Sequence, residues 1–245
     1  MAKRVLVTGS SRGIGRAIAH RLATEGYRLA VHYGSQRDQA IATVAGLPGS
    51  GHEIYDADLT DPNKAAGLIQ RVTADGPLDA LVNNAGVYMP MDFAAAGDAS
   101  FDAALHRTFS VNFESPVRLI RAALPHLEAQ RGAVVNVASR VGFKGEGGAA
   151  LYAASKAALI SITRSLAVEL APRHVAFFGM APGWVDTAMA RDGMSERIDQ
   201  ILETIPLGRM ATPDDCAGVA SFLLRDEARY LSGITIDING ASYFH

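Results

Sequence analysis

Short runs of apolar, β-branched residues alternate along this chain with longer segments whose apolar positions recur at helical spacing. Arg4 to Thr8 is the first such run and ends in a glycine-rich turn; Gly15 to Gly26 then reads as a helix, with Ile14, Ala17, Ile18 and Leu22 near a 3.6-residue period. Further strands are expected at Arg28 to His32, His52 to Tyr55, Ala80 to Val82, Ala133 to Val137, Val175 to Met180 and Ile234 to Ile238. Helices are expected at about Asn63 to Thr73, behind Asp61-Pro62 as N-cap and first-turn proline, through most of Asp98 to Gln130, at Tyr152 to Leu170, and after Pro213. The strand runs are apolar without alternation, as in strands covered on both faces. Strand-helix-strand repetition therefore predicts an α/β fold, a doubly wound parallel sheet with helices on both faces. No internal repeat, low-complexity tract or linker interrupts it, so residues 1–245 are expected to form a single domain. Ligands of such sheets bind beyond the carboxyl ends of the strands, and the chemistry should be sought there.

Composition narrows the picture mainly by exclusion. With 49% hydrophobic and 20% charged residues, the chain can bury a sizeable core. A formal net charge of −2 gives no electrostatic reason to expect nucleic acid or an anionic membrane surface. No apolar stretch approaches a membrane span. Cys216 is the only cysteine, which rules out an internal disulfide and any cysteine-based metal or cluster spacing; no metal is expected. Met1-Ala2-Lys3-Arg4 leads straight into a strand and leaves no room for a secretory h-region, so a cytoplasmic location is expected.

The turn Thr8-Gly9-Ser10-Ser11-Arg12-Gly13-Ile14-Gly15 opens the first helix directly after the first strand. Glycines there allow a tight turn and close backbone approach to a pyrophosphate, for which the helix N-terminus supplies free amides. An acid at the end of the second strand would hold the ribose 2′-hydroxyl of NAD. Here the strand runs into Tyr33-Gly34-Ser35-Gln36-Arg37, without a carboxylate before Asp38. Ser35 and Arg12, with Arg37 nearby, suit a 2′-phosphate instead, which favours NADP(H) over NAD(H). Asp58-Leu59 follows the third strand, where an acid can accept from an adenine amino group. Asn83-Asn84-Ala85-Gly86 follows the fourth, where small residues admit a cofactor and asparagines can brace neighbouring strands.

Tyr152 and Lys156 stand four apart on a predicted helix and so share one face. A free phenol, with pKa about 10, is a poor base at neutral pH. A fixed ammonium, and a positively charged nicotinamide, would both lower that value. Ser139 lies just past a strand, placed to hydrogen-bond a substrate carbonyl or hydroxyl.

Taken in order, Thr8-Gly9-x3-Gly13-Ile14-Gly15, Asn83-Asn84-Ala85-Gly86, Asn112, Ser139, Tyr152-x3-Lys156 and Pro182-Gly183-x-Val185-x-Thr187 resemble the motifs of the short-chain dehydrogenase/reductase family over almost the whole chain. The resemblance implies a Rossmann-type sheet of about seven strands and an NADP(H)-dependent carbonyl reductase or alcohol dehydrogenase. Tyr152 would be the general acid/base and Ser139 would orient the reacting oxygen. Lys156 would bind the nicotinamide ribose and lower the tyrosine pKa, and Asn112 would hold a water that continues a proton relay. Pro182, Gly183, Val185 and Thr187 would meet the carboxamide end of the cofactor. A homotetramer is also implied, with the last strand and the long helices in its interfaces.

Substrate identity is less determined. By the same resemblance, Val87-Tyr88-Met89-Pro90-Met91, Arg140 to Glu146 and Ala188 to Met194 would line the substrate pocket, Trp184 could form a wall, and Ala190 to Gln200 could be a lid. Ile205-Pro-Leu-Gly-Arg-Met and Ile236-Asp-Ile-Asn-Gly are similar to bacterial 3-oxoacyl-(acyl-carrier-protein) reductases, whereas Val87-Tyr88-Met89-Pro90 and Phe177-Phe178-Gly179 depart from them. Arg131 and Arg173 could receive an acidic carrier protein. Three readings stay open: an NADP-dependent reductase of a ketone or 3-oxoacyl thioester, an NAD-dependent dehydrogenase of a sugar, polyol or steroid alcohol, and a non-catalytic dinucleotide-binding scaffold.

Overall fold

The computed structural model describes residues 2–61, 63–188 and 198–245. Its strands are β1 (Arg4–Val7), β2 (Arg28–Tyr33), β3 (Glu53–Asp56), β4 (Ala80–Asn83), β5 (Ala133–Val137), β6 (Ala176–Pro182) and β7 (Thr235–Ile238). They form one sheet in the order β3-β2-β1-β4-β5-β6-β7, and every pairing is parallel. The chain order reverses between β1 and β4, where Val7 pairs with Val82, and a crevice opens beyond that pair.

Alternate side chains of each strand enter opposite cores, which is why the strand sequences carry no polar alternation. Val5, Val7, Leu29, Val31, Val135, Phe178 and Met180 pack on one face against α1 (Gly13–Thr24) and the C-terminal helix Pro213–Leu223. On the other face, Leu6, Ala30, Leu81, Val134 and Phe177 meet α3 (Lys64–Ala74), α5 (Ser115–Gln130) and α6 (Ala150–Leu170). The Phe177-Phe178-Gly179 run has a packing cause. Both rings are fully buried, one on each face, and a β-carbon on Gly179 would lie 2.4 Å from Thr235 Oγ1 of β7.

Several element boundaries move by a residue or two. The first helix begins at Gly13, with Arg12 as its N-cap, and ends at Thr24, not Gly26. Two helices were not anticipated: α2 (Arg37–Ala45), nearly devoid of an apolar stripe, and α7 (Ile198–Glu203), which is very short. α3 starts at Lys64 behind Asn63; Asp61 Oδ1 accepts from the Asn63 N–H at 3.0 Å, and Pro62 lies outside the described residues. The helix through Asp98 to Gln130 is not uniform: α4 (Asp98–Phe109) passes through a π-turn at Ser110–Glu114 before α5. The C-terminal helix, α8 (Pro213–Leu223), has proline at its start and a reciprocal Thr212–Asp215 capping box.

Candidate functional site

The glycine turn, Asn83 to Gly86, Asn112, Ser139, Tyr152, Lys156 and Pro182 to Thr187 fall at the carboxyl edge of the sheet or just beyond it. At the β1–β4 crevice, Gly9 has φ +63, and a β-carbon on it would stand 3.0 Å from Ala85 Cα, so two backbones touch there. A β-carbon on Gly15 would come within 2.5 Å of both Asn84 Nδ2 and Gly9 O. Thr8 Oγ1 accepts from the Asn84 and Ala85 N–H groups at 3.0 Å each, and Asn84 Nδ2 donates to the Thr8 and Gly9 carbonyls. Asn84 thus braces the turn from within. Ile14 packs on the core behind it.

The N-terminus of α1 has no side-chain cap and no acid in its first turn. Its amides therefore favour an anion, as a dinucleotide pyrophosphate would require. Across the crevice stands Thr187, whose Cγ2 would be 3.6 Å from a β-carbon on Gly13. The Pro182-Gly183-x-Val185 segment is pinned there: the Gly183 N–H donates to Ile238 O at 2.9 Å, and Val185 bridges to Ala211.

Tyr33 ends β2 and is buried, whereas Gly34, Ser35 and Arg12 are exposed and no atom lies within 4 Å of a β-carbon built on Gly34. Arg37 is the first residue of α2 and is exposed. β2 itself ends without a carboxylate; the nearest along the chain is Asp38 in the first turn of α2, and Asp56 of β3 pairs with Tyr33. On the far side Leu59 is buried, and Asp58 is exposed in a local turn, its Oδ1 accepting from the Thr60 N–H and hydroxyl; those bonds hold its carboxyl below the usual range.

The four predicted catalytic residues converge at the ends of β4 and β5. Ser139 caps a 3-10 turn, Arg140–Gly142, that abuts α6; a β-carbon on Gly142 would be 3.1 Å from the Lys156 carbonyl carbon. The Ser139 hydroxyl stands on the Tyr152 side of this turn, where it favours the phenolate. Lys156, 3% exposed, donates from Nζ to Val137 O at 2.8 Å and stands 5.6 Å from the Tyr152 ring centroid. Asn112 is fully buried in the π-turn, accepting from the Val87 N–H at Oδ1 and donating from Nδ2 to Val87 O and Ser155 Oγ. A β-carbon on Gly86 would be 3.4 Å from Asn112 Oδ1 and 3.5 Å from Lys156 Nζ, so all three line one point.

The electrostatics differ from the expectation in one respect. In this chain the nearby ammonium does not bring the phenol below its free value. Burial pushes Tyr152 up to about 12, against the opposing hydrogen bond from Ser139, with Tyr88 and Glu146 adding to the rise. Burial also pulls Lys156 down to about 8. Desolvation disfavours both charged forms more than the two groups favour one another.

Sequence reasoning anticipated that Asn83 would brace the strands but missed its partners Asn136 and Thr163, and His32. Asn83 Nδ2 donates to Asn136 Oδ1 at 2.8 Å, and Asn136 Nδ2 donates to Thr163 Oγ1 at 2.9 Å, tying β4 and β5 to α6. His32 accepts from the Gly9 N–H at Nδ1 and donates from Nε2 to Ala57 O, both at 3.0 Å; burial pulls it down to about 4, so it is neutral. A polar residue in an otherwise apolar strand was the available signal for both. Tyr88 packs edge-on to Tyr152, ring centroids 5.2 Å apart, and an open cavity of about 530 Å³ is lined by Pro90, Met91, Asp92, Phe93 and Gly148. The expected lid and pocket segment at Met189 to Met194 lies outside the described residues, as does most of Ala190 to Gln200. Arg131 and Arg173 precede β5 and β6, so within one chain they sit at the opposite sheet edge from Tyr152, and Arg173 pairs with Glu128 at 2.9 Å.

No group of side chains suited to a metal ion occurs among the described residues, and no helix among them is long and apolar enough to cross a membrane. Residues 9–241 match the family model described as enoyl-(acyl carrier protein) reductase. The chain is 37% identical to the 3-oxoacyl-(acyl-carrier-protein) reductase FabG of Staphylococcus aureus, over 99% of each chain. It superposes with TM-score 0.91 on a short-chain dehydrogenase/reductase (glucose/ribitol dehydrogenase) of Brucella melitensis, 32% identical, covering 99% of this chain and 97% of the other. A short-chain dehydrogenase of Burkholderia cenocepacia, solved in complex with NADP, gives TM-score 0.89 at 34% identity, over 98% and 97% of the two chains. With its motifs gathered at one sheet edge and its full length matched, the chain belongs to the short-chain dehydrogenase/reductase family of NAD(P)-dependent oxidoreductases.

Proposed function

We propose that this chain reduces a ketone with NADPH, or oxidises the matching alcohol with NADP, using Tyr152 as general acid/base. The observation that carries this reading is the convergence of Ser139, Tyr152 and Lys156 on one point beside the Gly86 backbone. When bound, the nicotinamide supplies or accepts the hydride.

The chain's own residues account for the proton. With its phenol pushed up to about 12, Tyr152 keeps its proton at neutral pH and is set to donate it to a carbonyl oxygen. Ser139 holds the phenol and offers a second hydrogen bond to the same oxygen. Lys156, charged below about pH 8, supports a phenolate as it forms and is held in place by Val137 O. Asn112, fixed at both ends of its amide and close to Gly86 as Lys156 is, can order a water near Lys156 and so extend the relay. In the oxidative direction the same phenol must first lose its proton, so oxidation should gain with rising pH.

Three features support NADP(H) over NAD(H): β2 ends without a carboxylate, Ser35 and Arg12 are exposed beside it, and one close relative was solved with NADP. For the substrate, the FabG likeness favours a 3-oxoacyl thioester, and the apolar rim of Tyr88, Met91 and Phe93 suits an acyl chain. An acyl carrier protein is the natural carrier of such a thioester. Exposed Val168, Tyr230, Leu231 and Ile234 on α6 and beside β7 support a homotetramer, in a cytoplasmic enzyme. The deciding experiment is a fluorescence titration with NADPH and NADH at fixed salt. NADPH binding tighter by about tenfold or more, 1.4 kcal/mol, is expected; tighter NADH binding would overturn the phosphate pocket and turn the search to sugars, polyols and steroid alcohols.

A further inference from the structure

The mechanism above leaves unused a charged pair in the segment that carries Ser139. Arg140 donates from Nη2 to Glu146 Oε2 at 2.9 Å and from Nη1 to Ser242 Oγ at 3.1 Å. Its side chain is only 5% exposed, that of Glu146 26%, and the guanidinium carbon lies 6.0 Å from the Trp184 ring centroid. Arg140 Nε has no hydrogen-bond partner among the described residues. Burying such a pair carries a desolvation cost that an apolar pair would avoid. Its position gives it a use.

The same two segments are joined again further on. The Phe143 ring stacks on His245, centroids 3.8 Å apart and planes 8° apart, and His245 Nδ1 lies 3.0 Å from Asp237 Oδ2. Asn239 Nδ2 donates to Tyr243 O at 2.9 Å, and a β-carbon on Gly183 would be 3.0 Å from Asn239 Cβ. The C-terminal tail is therefore held between the segment after Ser139 and the Pro182-Gly183 strand end. Ser139 Oγ itself reaches Pro182 O at 3.4 Å, so any play in that junction reaches the serine.

We propose that Arg140 is a positioning residue: with Glu146 and Ser242 it latches the Ser139 segment to the C-terminal tail, and its guanidinium offsets the Glu146 carboxylate beside Tyr152. The inference rests on the assignment of Tyr152 as acid/base. The groups that bear on the phenol are Ser139, Tyr88, Glu146 and, 5.6 Å from its ring, Lys156; Arg164 and His245 lie further out, around Phe143. Of these Glu146 alone brings a negative charge, and it resists ionisation of Tyr152. An Arg140 side chain without charge would leave that carboxylate uncompensated.

The test uses the full-length chain labelled with 13C at tyrosine Cζ, with Tyr152→Phe assigning the signal, so no substrate is required. Glu146→Gln should lower the ionisation midpoint of Tyr152 and Arg140→Met should raise it, each by about half a unit, a threefold change in the ionisation constant. The Arg140→Met/Glu146→Gln double variant should return it to the parent value, and Arg140→Lys should hold it there. In parallel, ethyl acetoacetate and NADPH should show kcat falling more than KM rises in Arg140→Met, with recovery in Arg140→Lys. An unmoved midpoint in Glu146→Gln, or a double variant displaced as far as Arg140→Met, would overturn the proposal. Full activity in Tyr152→Phe would instead overturn the acid/base assignment, while the midpoint shifts in the other variants would stand.

Discussion

The two edges of the sheet bury their basic groups in opposite ways. At the amino edge, Arg4 is 2% exposed, yet its guanidinium donates to Glu53 Oε2, the Tyr55 hydroxyl and Val72 O, each at 2.6 Å, and Tyr55 donates in turn to Asp75. Its backbone N–H is taken by Asp79 at 2.7 Å. At the carboxyl edge Tyr152, Lys156 and His32 are all pushed toward their neutral forms by burial. A charge buried among counter-charges is held by them and fastens the chain. A group buried without them goes neutral and is free to exchange a proton. One edge fastens the chain through a buried charge, and the other holds groups whose buried form is neutral.

That division can be broken by experiment. The largest effect is expected from Tyr152→Phe, which removes the proton donor and should cut the reduction rate by about a thousandfold with an unchanged melting temperature. Similar losses in melting temperature would erase the contrast between the edges. Arg4→Met should do the reverse, costing about 4 kcal/mol in denaturant unfolding because Tyr55 and two carboxylates lose their partner, while the folded fraction keeps its kcat/KM. Acid should act through His32. Its folded value, about 4, lies below the ordinary 6.5, so the stability it confers is full above about pH 6.5 and is lost as pH falls toward 4, about 3 kcal/mol in all. Melting scans across that range should show the slope, and His32→Asn should flatten it. The smallest effect is at the cofactor end: Gly34→Asp, where the β-carbon meets open space, should weaken NADPH binding about tenfold and leave stability alone.

The sequence made the carboxyl edge far more legible than the amino one. Gly9, Gly15, Asn84, Tyr152 and Lys156 stand at spacings that only a strand-turn-helix or a single helix face converts into proximity, and the structure brings each of them to the edge. Nothing in the sequence assigned Arg4 a role beyond opening the first strand, because its partners, Glu53, Tyr55 and Asp75, are scattered across 49 to 71 later positions, counted from the residue numbers, with no period to link them. The effect of burial on Tyr152 and Lys156 was out of reach for the same reason: a sequence shows that Lys156 is one turn from Tyr152 but not how dry the space around them is. α2 escaped notice because a helix lying on solvent needs little apolar stripe.

The π-turn at Ser110–Glu114 has a consequence for the chain as a mechanical object. An α-helix advances about 100° per residue, so one added residue sets α4 and α5 out of phase while their axes stay joined. The turn acts as a fixed coupling between two gears, with Asn112 on the tooth at the join. Deleting one residue from this turn would restore a regular helix and rotate α4 by about 100° relative to α5. Asn112 would leave Val87, and the buried Ala104 and Thr108 would face away from their present seats. A single-residue deletion here should therefore prove more damaging than any point substitution in the same five positions.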